Sequence, residues 1–176
     1  ATNGKIYAIP IDATIVLIID PETNTADTTS ITGLSGTTKW RGGVLAPNGK
    51  IYGIPNLASS VLIIDPETNT ADILTISGLS AATQKWAGAS LGPDGRIYAI
   101  PSNENNVLII DPVNNTADVT TITGFTGTLL HRSGVQASNG KIYAIPRGAG
   151  DVAVIDTAAG TQFCDSILLS PYMNKL

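Results

Sequence analysis

The chain has 176 residues and a formal net charge of −4, and 43% of its residues are apolar whereas 14% are charged. These values predict a single globular domain over residues 1–176 and exclude a disordered chain. The acidic balance excludes the basic surface on which nucleic-acid binding depends, and no apolar run reaches the roughly 18 residues of a membrane span.

Cysteine and histidine each occur once, as Cys164 and His131. A single cysteine excludes an intrachain disulfide, and one histidine with one cysteine offers too few ligands for a zinc site. No Gly-rich phosphate loop followed by a helix is present either. We therefore predict neither a metal nor a cofactor.

The first predicted strands lie in three short runs near the start of the chain. Asn3 to Pro10 reads Asn-Gly-Lys-Ile-Tyr-Ala-Ile-Pro, Val16 to Pro21 reads Val-Leu-Ile-Ile-Asp-Pro, and Thr28 to Ile31 is rich in β-branched residues. Short runs of Val, Ile, Thr and Tyr bounded by turn residues are typical of strands. We name these three runs strands B, C and D, because a further strand A precedes B in later copies.

Strands B and C recur three more times, and strand D recurs twice, at Ile73 to Ile76 and Val119 to Ile122. Strand A reads Lys-Trp-x-Gly at Lys39 to Ala46 and Lys85 to Gly92, with a divergent copy at Leu130 to Val135. The glycine of strand B recurs at intervals of 45, 46 and 45 residues. The chain is therefore divided into four repeats, 1–38, 39–84, 85–129 and 130–176.

Turn residues support hairpins between these strands. Asn48-Gly49 and Asp94-Gly95 predict tight primed turns between A and B, in which both residues take positive φ. The Asp20-Pro21 turn and its copies join C to D, with an asparagine in the left-handed conformation.

Strand C is apolar at consecutive positions, so both of its faces must be covered. Stacked sheets cover one another, and we therefore predict an all-β protein, a β-propeller of four four-stranded blades. The first blade would lack its inner strand. Three arrangements satisfy the pattern: four blades that close, two chains that complete one ring, and a larger ring of which these blades are a part.

The chain also resembles known repeat proteins. The hairpins at 16–25 and 151–161 are similar to those of YVTN-type propeller repeats, and the Gly-Lys-Ile-Tyr segments are similar to a strand of kelch-type and gluconolactonase-like propellers. Ile-Pro stands where YVTN-type repeats carry Val-Thr-Asn. The resemblance implies a propeller fold, and roles that range from surface and scaffold proteins to a minority of enzymes.

Candidate ligand contacts lie on the face where the D-to-A and B-to-C loops emerge. Lys39, Trp40, Lys85 and Trp86 could stack on a ligand and hold an anion, although the tryptophans could equally fill the wedge between blades.

Departures from the repeat are more informative. His131 and Arg132 replace Lys-Trp, Arg147 follows Pro146 in place of a small or polar residue, and Arg41 stands where Ala87 does. These cations could form an anion site, but a solvated rim or salt bridges are the favoured interpretation.

These observations lead to a predicted function. Strand A offers only one acidic or histidine side chain, His131, to the central channel, which argues against catalysis. We predict a non-catalytic binding or scaffold propeller that recognises a small molecule, a glycan or a protein. The alternatives are a metal-dependent lactonase or lyase, and a self-assembling structural protein that forms a homo-oligomer.

Overall fold

A computed structural model describes residues 1–158 and the backbone of residues 167–168. This part of the chain contains strands and turns, and no helix in it is long and apolar enough to cross a membrane. The strands are β1 (Ile6–Ala8), β2 (Leu17–Asp20), β3 (Thr25–Asp27), β4 (Trp40–Leu45), β5 (Ile51–Pro55), β6 (Leu62–Asp65), β7 (Thr70–Asp72), β8 (Trp86–Leu91), β9 (Ile97–Pro101), β10 (Leu108–Asp111), β11 (Thr116–Asp118), β12 (His131–Gln136), β13 (Ile142–Pro146), β14 (Asp151–Ile155) and β15 (Ile167–Leu168).

The strands form four antiparallel sheets, which are the blades of a propeller. Blade 1 is β1-β2-β3, blade 2 is β4 to β7, blade 3 is β8 to β11, and blade 4 is β12 to β15. The predicted all-β fold is confirmed, and among the described residues blade 1 has no inner strand, as predicted.

The outermost strand lies earlier in the chain than the sequence predicted. In blade 1 it is Thr25–Asp27 rather than Thr28 to Ile31, and blades 2 and 3 show the same displacement. The Asp27 carboxylate accepts hydrogen bonds from the backbone N–H of Thr29 at 2.7 Å and of Ser30 at 3.1 Å. This side-chain turn ends the strand, and the β-branched run after it turns inward to bury Ile31.

The turns between strands agree only in part with the prediction. Asn24, Asn69 and Asn115 take left-handed φ values of 53°, 52° and 52°, as predicted. In the A-to-B turns only the glycine has positive φ, for example 80° at Gly49, so the prediction of two positive φ values is wrong. The Gly49 N–H donates to the Ala46 carbonyl and the Ala46 N–H to that of Lys50, which makes a longer loop closed by a left-handed glycine.

Three hydrophobic cores lie between successive blades. Tyr52 and Ile54 of blade 2, for example, pack with Ile97 and Leu108 of blade 3, and all four are buried. The predicted burial of strand C on both faces holds in blades 2 and 3, where its three apolar residues are buried. In blade 1 only Ile18 of that strand is fully buried, because one face has no neighbouring blade.

The inner strands β4, β8 and β12 lie side by side. A Cβ atom on Gly88 would lie 3.0 Å from the backbone oxygen of Arg132 and 3.3 Å from the Cα of Ser133. The glycine of the Lys-Trp-x-Gly motif therefore allows the close approach of neighbouring inner strands.

Candidate active site

Each inner strand begins at the end of the molecule where the D-to-A and B-to-C loops emerge, which we call the top face. The first residue is Trp40 in blade 2, Trp86 in blade 3 and His131 in blade 4. The residue directly before each inner strand is Lys39 in blade 2, Lys85 in blade 3 and Leu130 in blade 4. Blade 4 therefore differs from blades 2 and 3 at both positions.

The two tryptophans lie in the wedge between blades. Trp40 is 2% exposed and Trp86 is 1% exposed. Their indole N–H groups donate to backbone carbonyls twenty residues further along, at Ser60 (2.8 Å) and Asn106 (3.0 Å). Each indole thus satisfies its polar atom within the fold while it fills the space between two sheets.

The two lysines are buried as well. The Lys39 ammonium donates to the carbonyls of Ile11 at 3.1 Å, Ala13 at 3.0 Å and Gly36 at 2.8 Å. Each ammonium also lies 5.8 Å from the centroid of the adjacent tryptophan ring. These contacts tie the top-face loops together.

Lys85 is fully buried, and its ammonium donates to the Ala58 carbonyl at 2.8 Å. Burial lowers the pKa of Lys85, and the charge of Glu104 opposes that shift. A ligand role for these lysines and tryptophans stays a prediction, but their polar hydrogens already bond the backbone.

His131 occupies the tryptophan position without the tryptophan contacts. It is 2% exposed, yet within the described part of the chain neither Nδ1 nor Nε2 has a hydrogen-bond partner. Phe125 presents its ring edge-on to the imidazole, with centroids 6.0 Å apart and planes at 87°. The imidazole therefore packs against an aromatic ring, and the backbone of Asp151 and Pro101 lies near it without forming a hydrogen bond of ordinary geometry.

A cavity of about 160 Å³ adjoins this imidazole. Asp151 lines the cavity twenty residues after His131, at the position where Ser60 and Asn106 accept the indole hydrogen bonds in the other blades. The remaining lining residues are Gly124, Phe125, Thr126, Leu130, Ala149 and Ala153. Blade 2 has an equivalent cavity beside Trp40, lined by Lys39, Ala58 and Ser60, and the blade 4 cavity differs in combining an imidazole, an acidic residue and apolar walls.

The protonation of His131 follows from this environment. Burial lowers the pKa of His131 below its ordinary value of 6.5, while the charge of Asp151 and the nearby backbone of Asp151 and Pro101 act in the opposite direction. At neutral pH the ring is therefore uncharged, with one N–H to donate and one lone pair to accept a proton. Such a group can act as a general base and then as a general acid.

The structure does not bring the three predicted arginines to one point. His131 pairs with Pro146 across the antiparallel strands β12 and β13, so Arg132 and Arg147 lie on opposite sides of this pair, and the Arg147 N–H donates to the Leu130 carbonyl. Both are exposed, and among the described residues neither forms an ion pair. Arg41 belongs to blade 2 and is half-buried, so it lies away from this group.

Sequence reasoning missed Asp151 and Phe125. The signal was present for Asp151, because it is the only acidic residue among the three equivalent positions Ser60, Asn106 and Asp151. No comparable signal marked Phe125, which stands in a loop of irregular conformation. Within residues 1–158 and 167–168 no three His, Cys, Asp or Glu side chains are close enough to hold a metal ion, and Cys164 lies outside those residues.

No family model and no curated protein matches the sequence, so the YVTN-type or kelch-type character of the repeat stays a prediction. Solved structures do match the fold. One match is virginiamycin B lyase from Staphylococcus aureus, solved as a catalytically inactive histidine-to-alanine variant with quinupristin. Its TM-score is 0.70 and its identity is 12%, over 95% of this chain and 52% of the lyase chain. A protein provisionally assigned as a 6-phosphogluconolactonase from Bacteroides uniformis has a TM-score of 0.70 and 20% identity over the same shares.

A third match, provisionally assigned as a gluconolactonase, has a TM-score of 0.58 and 15% identity over 88% of this chain and 57% of its own. The likeness shows that the fold is a β-propeller. This chain spans about half the length of the chains it matches.

These matches correct the predicted function. The prediction of a non-catalytic binding or scaffold protein, with no enzymatic activity, is wrong, because the matching propellers include a lyase and proteins provisionally assigned as lactonases. Its premise was that the strands facing the channel lack catalytic side chains. The cavity beside His131 lies instead between the top-face loops, where that premise does not apply.

Proposed function

We propose that this chain forms part of a propeller enzyme of the lyase or lactonase class, in which His131 is the acid–base residue. The observation that carries the proposal is the exchange of a hydrogen-bonded tryptophan for a buried histidine with two unbonded nitrogens beside a cavity. Asp151 lies at the same cavity and would orient the imidazole or the substrate.

The free energy of folding argues against a purely structural role for this histidine. A buried polar atom without a hydrogen bond costs about 1–3 kcal/mol. Trp40 and Trp86 avoid that cost at the equivalent position. Side chains that sacrifice stability in this way are concentrated at functional sites.

A neutral imidazole can serve either of the two reactions. In lactone hydrolysis it takes a proton from water as the oxygen attacks the carbonyl carbon, the ring C–O bond breaks, and the imidazolium returns the proton to the leaving oxygen. In an elimination it removes a proton from carbon and delivers it to the leaving group. Arg132 and Arg147, exposed beside His131, would bind a substrate carboxylate or phosphate.

The comparison with the lyase supports this role for the histidine. That protein is described as catalytically inactive when one histidine is replaced by alanine. His131 is the only histidine of this chain. A histidine-dependent reaction catalysed by this chain therefore has to use His131.

The test is turnover by the purified chain of a small panel: quinupristin, a sugar lactone and its 6-phosphate. We expect activity on one of these that falls at least 100-fold in His131→Ala and stays within about twofold in Arg41→Ala, a matched change on blade 2. Inactivity on the whole panel would refute the proposed class. Full activity of His131→Ala would refute the role of the histidine.

A further inference from the structure

Hydrogen bonds join the lower edges of neighbouring blades through one repeated pair of side chains. Tyr7 of blade 1 donates its hydroxyl hydrogen to the Asn69 side chain of blade 2 at 2.7 Å, and the Asn3 amide donates to the Pro66 carbonyl at 2.9 Å. Blades 2 and 3 repeat the arrangement: Tyr52 bonds Asn115 at 2.8 Å and Asn48 bonds Pro112 at 2.9 Å. We call this Asn-Tyr to Pro-Asn contact the interblade clasp.

Among the described residues the clasp is absent between blades 3 and 4, and both of its halves differ in sequence there. Asp94 replaces the donor asparagine, and Tyr98 bonds the Asp94 carboxylate of its own blade at 2.9 Å. In the sequence of blade 4, Thr157 and Gly160 replace the proline and asparagine of the acceptor turn. The donor half of blade 3 and the acceptor half of blade 4 are therefore both lost at the same boundary between blades.

Two intact halves remain without a partner among the described residues. Blade 4 keeps the donor half, because the Asn139 amide lies 3.0 Å from the Tyr143 hydroxyl at an exposed edge. Blade 1 keeps the acceptor half in Pro21 and Asn24, whose φ of 53° matches that of Asn69 and Asn115 in the internal clasps. The free edge of blade 4 thus carries hydrogen-bond donors that the free turn of blade 1 can accept.

The apolar faces beside these halves match in the same way. Ile145 of blade 4 is 44% exposed, whereas its equivalents Ile54 and Ile100 are fully buried against the next blade. Ile6 of blade 1 is 52% exposed, whereas its equivalent Ile97 is fully buried against the preceding blade. Each end of the array therefore presents one side of an interface that the molecule already forms internally.

We propose that the free face of blade 4 docks on the free face of blade 1 of a second copy of this chain, with Asn139 and Tyr143 clasping Pro21 and Asn24. Made twice, this head-to-tail contact closes a ring of two chains, as closed symmetric assemblies do. The inference does not depend on the proposed catalytic role of His131.

The first test is the mass of the 176-residue chain in sedimentation equilibrium, for which we expect twice the 18.2 kDa of one chain. Ile6→Glu or Ile145→Glu would place a carboxylate in the contact and weaken the dimer at least ~100-fold. Leu74→Glu is the matched control, because Leu74 is 79% exposed and lies on neither end face. A wild-type chain that stays monomeric up to its solubility limit would overturn the proposal.

The head-to-tail geometry has its own test. When Ile6→Glu and Ile145→Glu chains are mixed, both substitutions fall in one junction and the other junction is wild-type, so we expect dimers to re-form. A face-to-face dimer would gain nothing from mixing, and that result would overturn the geometry. Because both isoleucines are exposed in the single chain, the circular dichroism of each variant should stay that of the wild type, and its urea midpoint should equal that of the wild type measured at a concentration where the wild type is monomeric.

The clasp itself is tested by removing one hydroxyl group. Tyr143→Phe removes the hydroxyl that would reach Asn24 and should weaken the dimer about 30-fold, about fivefold for each of its two junctions. Tyr98→Phe removes a hydroxyl bonded within its own blade and should leave the dimer unchanged. Equal effects of the two substitutions would show that the clasp is not part of the contact.

Discussion

Replacing His131 with tryptophan restores the residue that the repeat carries in blades 2 and 3. An indole at this position would donate its N–H to the Asp151 carbonyl, the equivalent of Ser60 and Asn106, and would occupy part of the 160 Å³ cavity. Burying the additional apolar surface of the indole against the walls of this partly open cavity contributes about 2 kcal/mol. The hydrogen bond adds about 1 kcal/mol, and packing strain removes about 1–2 kcal/mol.

We therefore expect His131→Trp to stabilise the fold by about 1–2 kcal/mol while it abolishes turnover. The assay is urea unfolding followed by tryptophan fluorescence and circular dichroism, in which the midpoint should rise while the slope stays constant. His131→Ala is the comparison, since it removes the imidazole without filling the space. A His131→Trp variant less stable than wild type by more than about 1 kcal/mol would refute the reasoning that this position accommodates an indole.

Three further outcomes follow from the described contacts. Lys85→Met keeps the length of a fully buried side chain but leaves carbonyls such as that of Ala58 unpaired, so it should lower the unfolding free energy by about 2 kcal/mol. Lys141→Met is the control at a partly exposed position, and it should change the unfolding free energy by less than about 0.5 kcal/mol. Gly88→Ala should lower the unfolding free energy by about 1–3 kcal/mol because its Cβ would meet the backbone of β12. Gly150→Ala is its control, because a Cβ there meets nothing within 4 Å and the unfolding free energy should not change. Equal losses in the two lysine variants, or in the two glycine variants, would contradict the account. The lowered pKa of His131 means that the unfolded chain binds the proton more tightly than the folded chain does. The unfolding free energy should therefore be at its full value above pH 6.5 and should fall as the pH drops toward the folded-state pKa. Urea midpoints measured between pH 7 and 5 should show this loss in the wild type and not in His131→Trp.

The sequence allowed the fold to be predicted because the repeat makes every strand visible several times. The interval between the strand B glycines and the consecutive apolar residues of strand C were sufficient for a propeller with an incomplete first blade. The outer strand was misplaced because β-branched residues are common in both strands and buried turns. The hydrogen bonds from Asp27 to the following N–H groups decide between them, and a propensity pattern does not report such bonds.

The candidate site was less predictable. His131 was identified as a departure from the repeat, but the burial of Lys39 and Lys85 was not foreseen. Lysine is rarely buried, and only the folded loops bring carbonyls such as those of Ala13 and Gly36 around one ammonium. The cavity beside His131 also arises from folded loops, which explains why reasoning from the channel-facing strands led to a non-catalytic protein.

The most direct test of the proposed acid–base role compares two pKa values. The single imidazole of the chain makes its ¹⁵N signals unambiguous, so its pKa can be read by NMR and set beside the acidic limb of kcat/KM for whichever panel substrate is turned over. We predict that both values agree and lie below 6.5. An acidic limb at a different pH from the imidazole titration, or one that persists in His131→Trp, would contradict His131 as the general base.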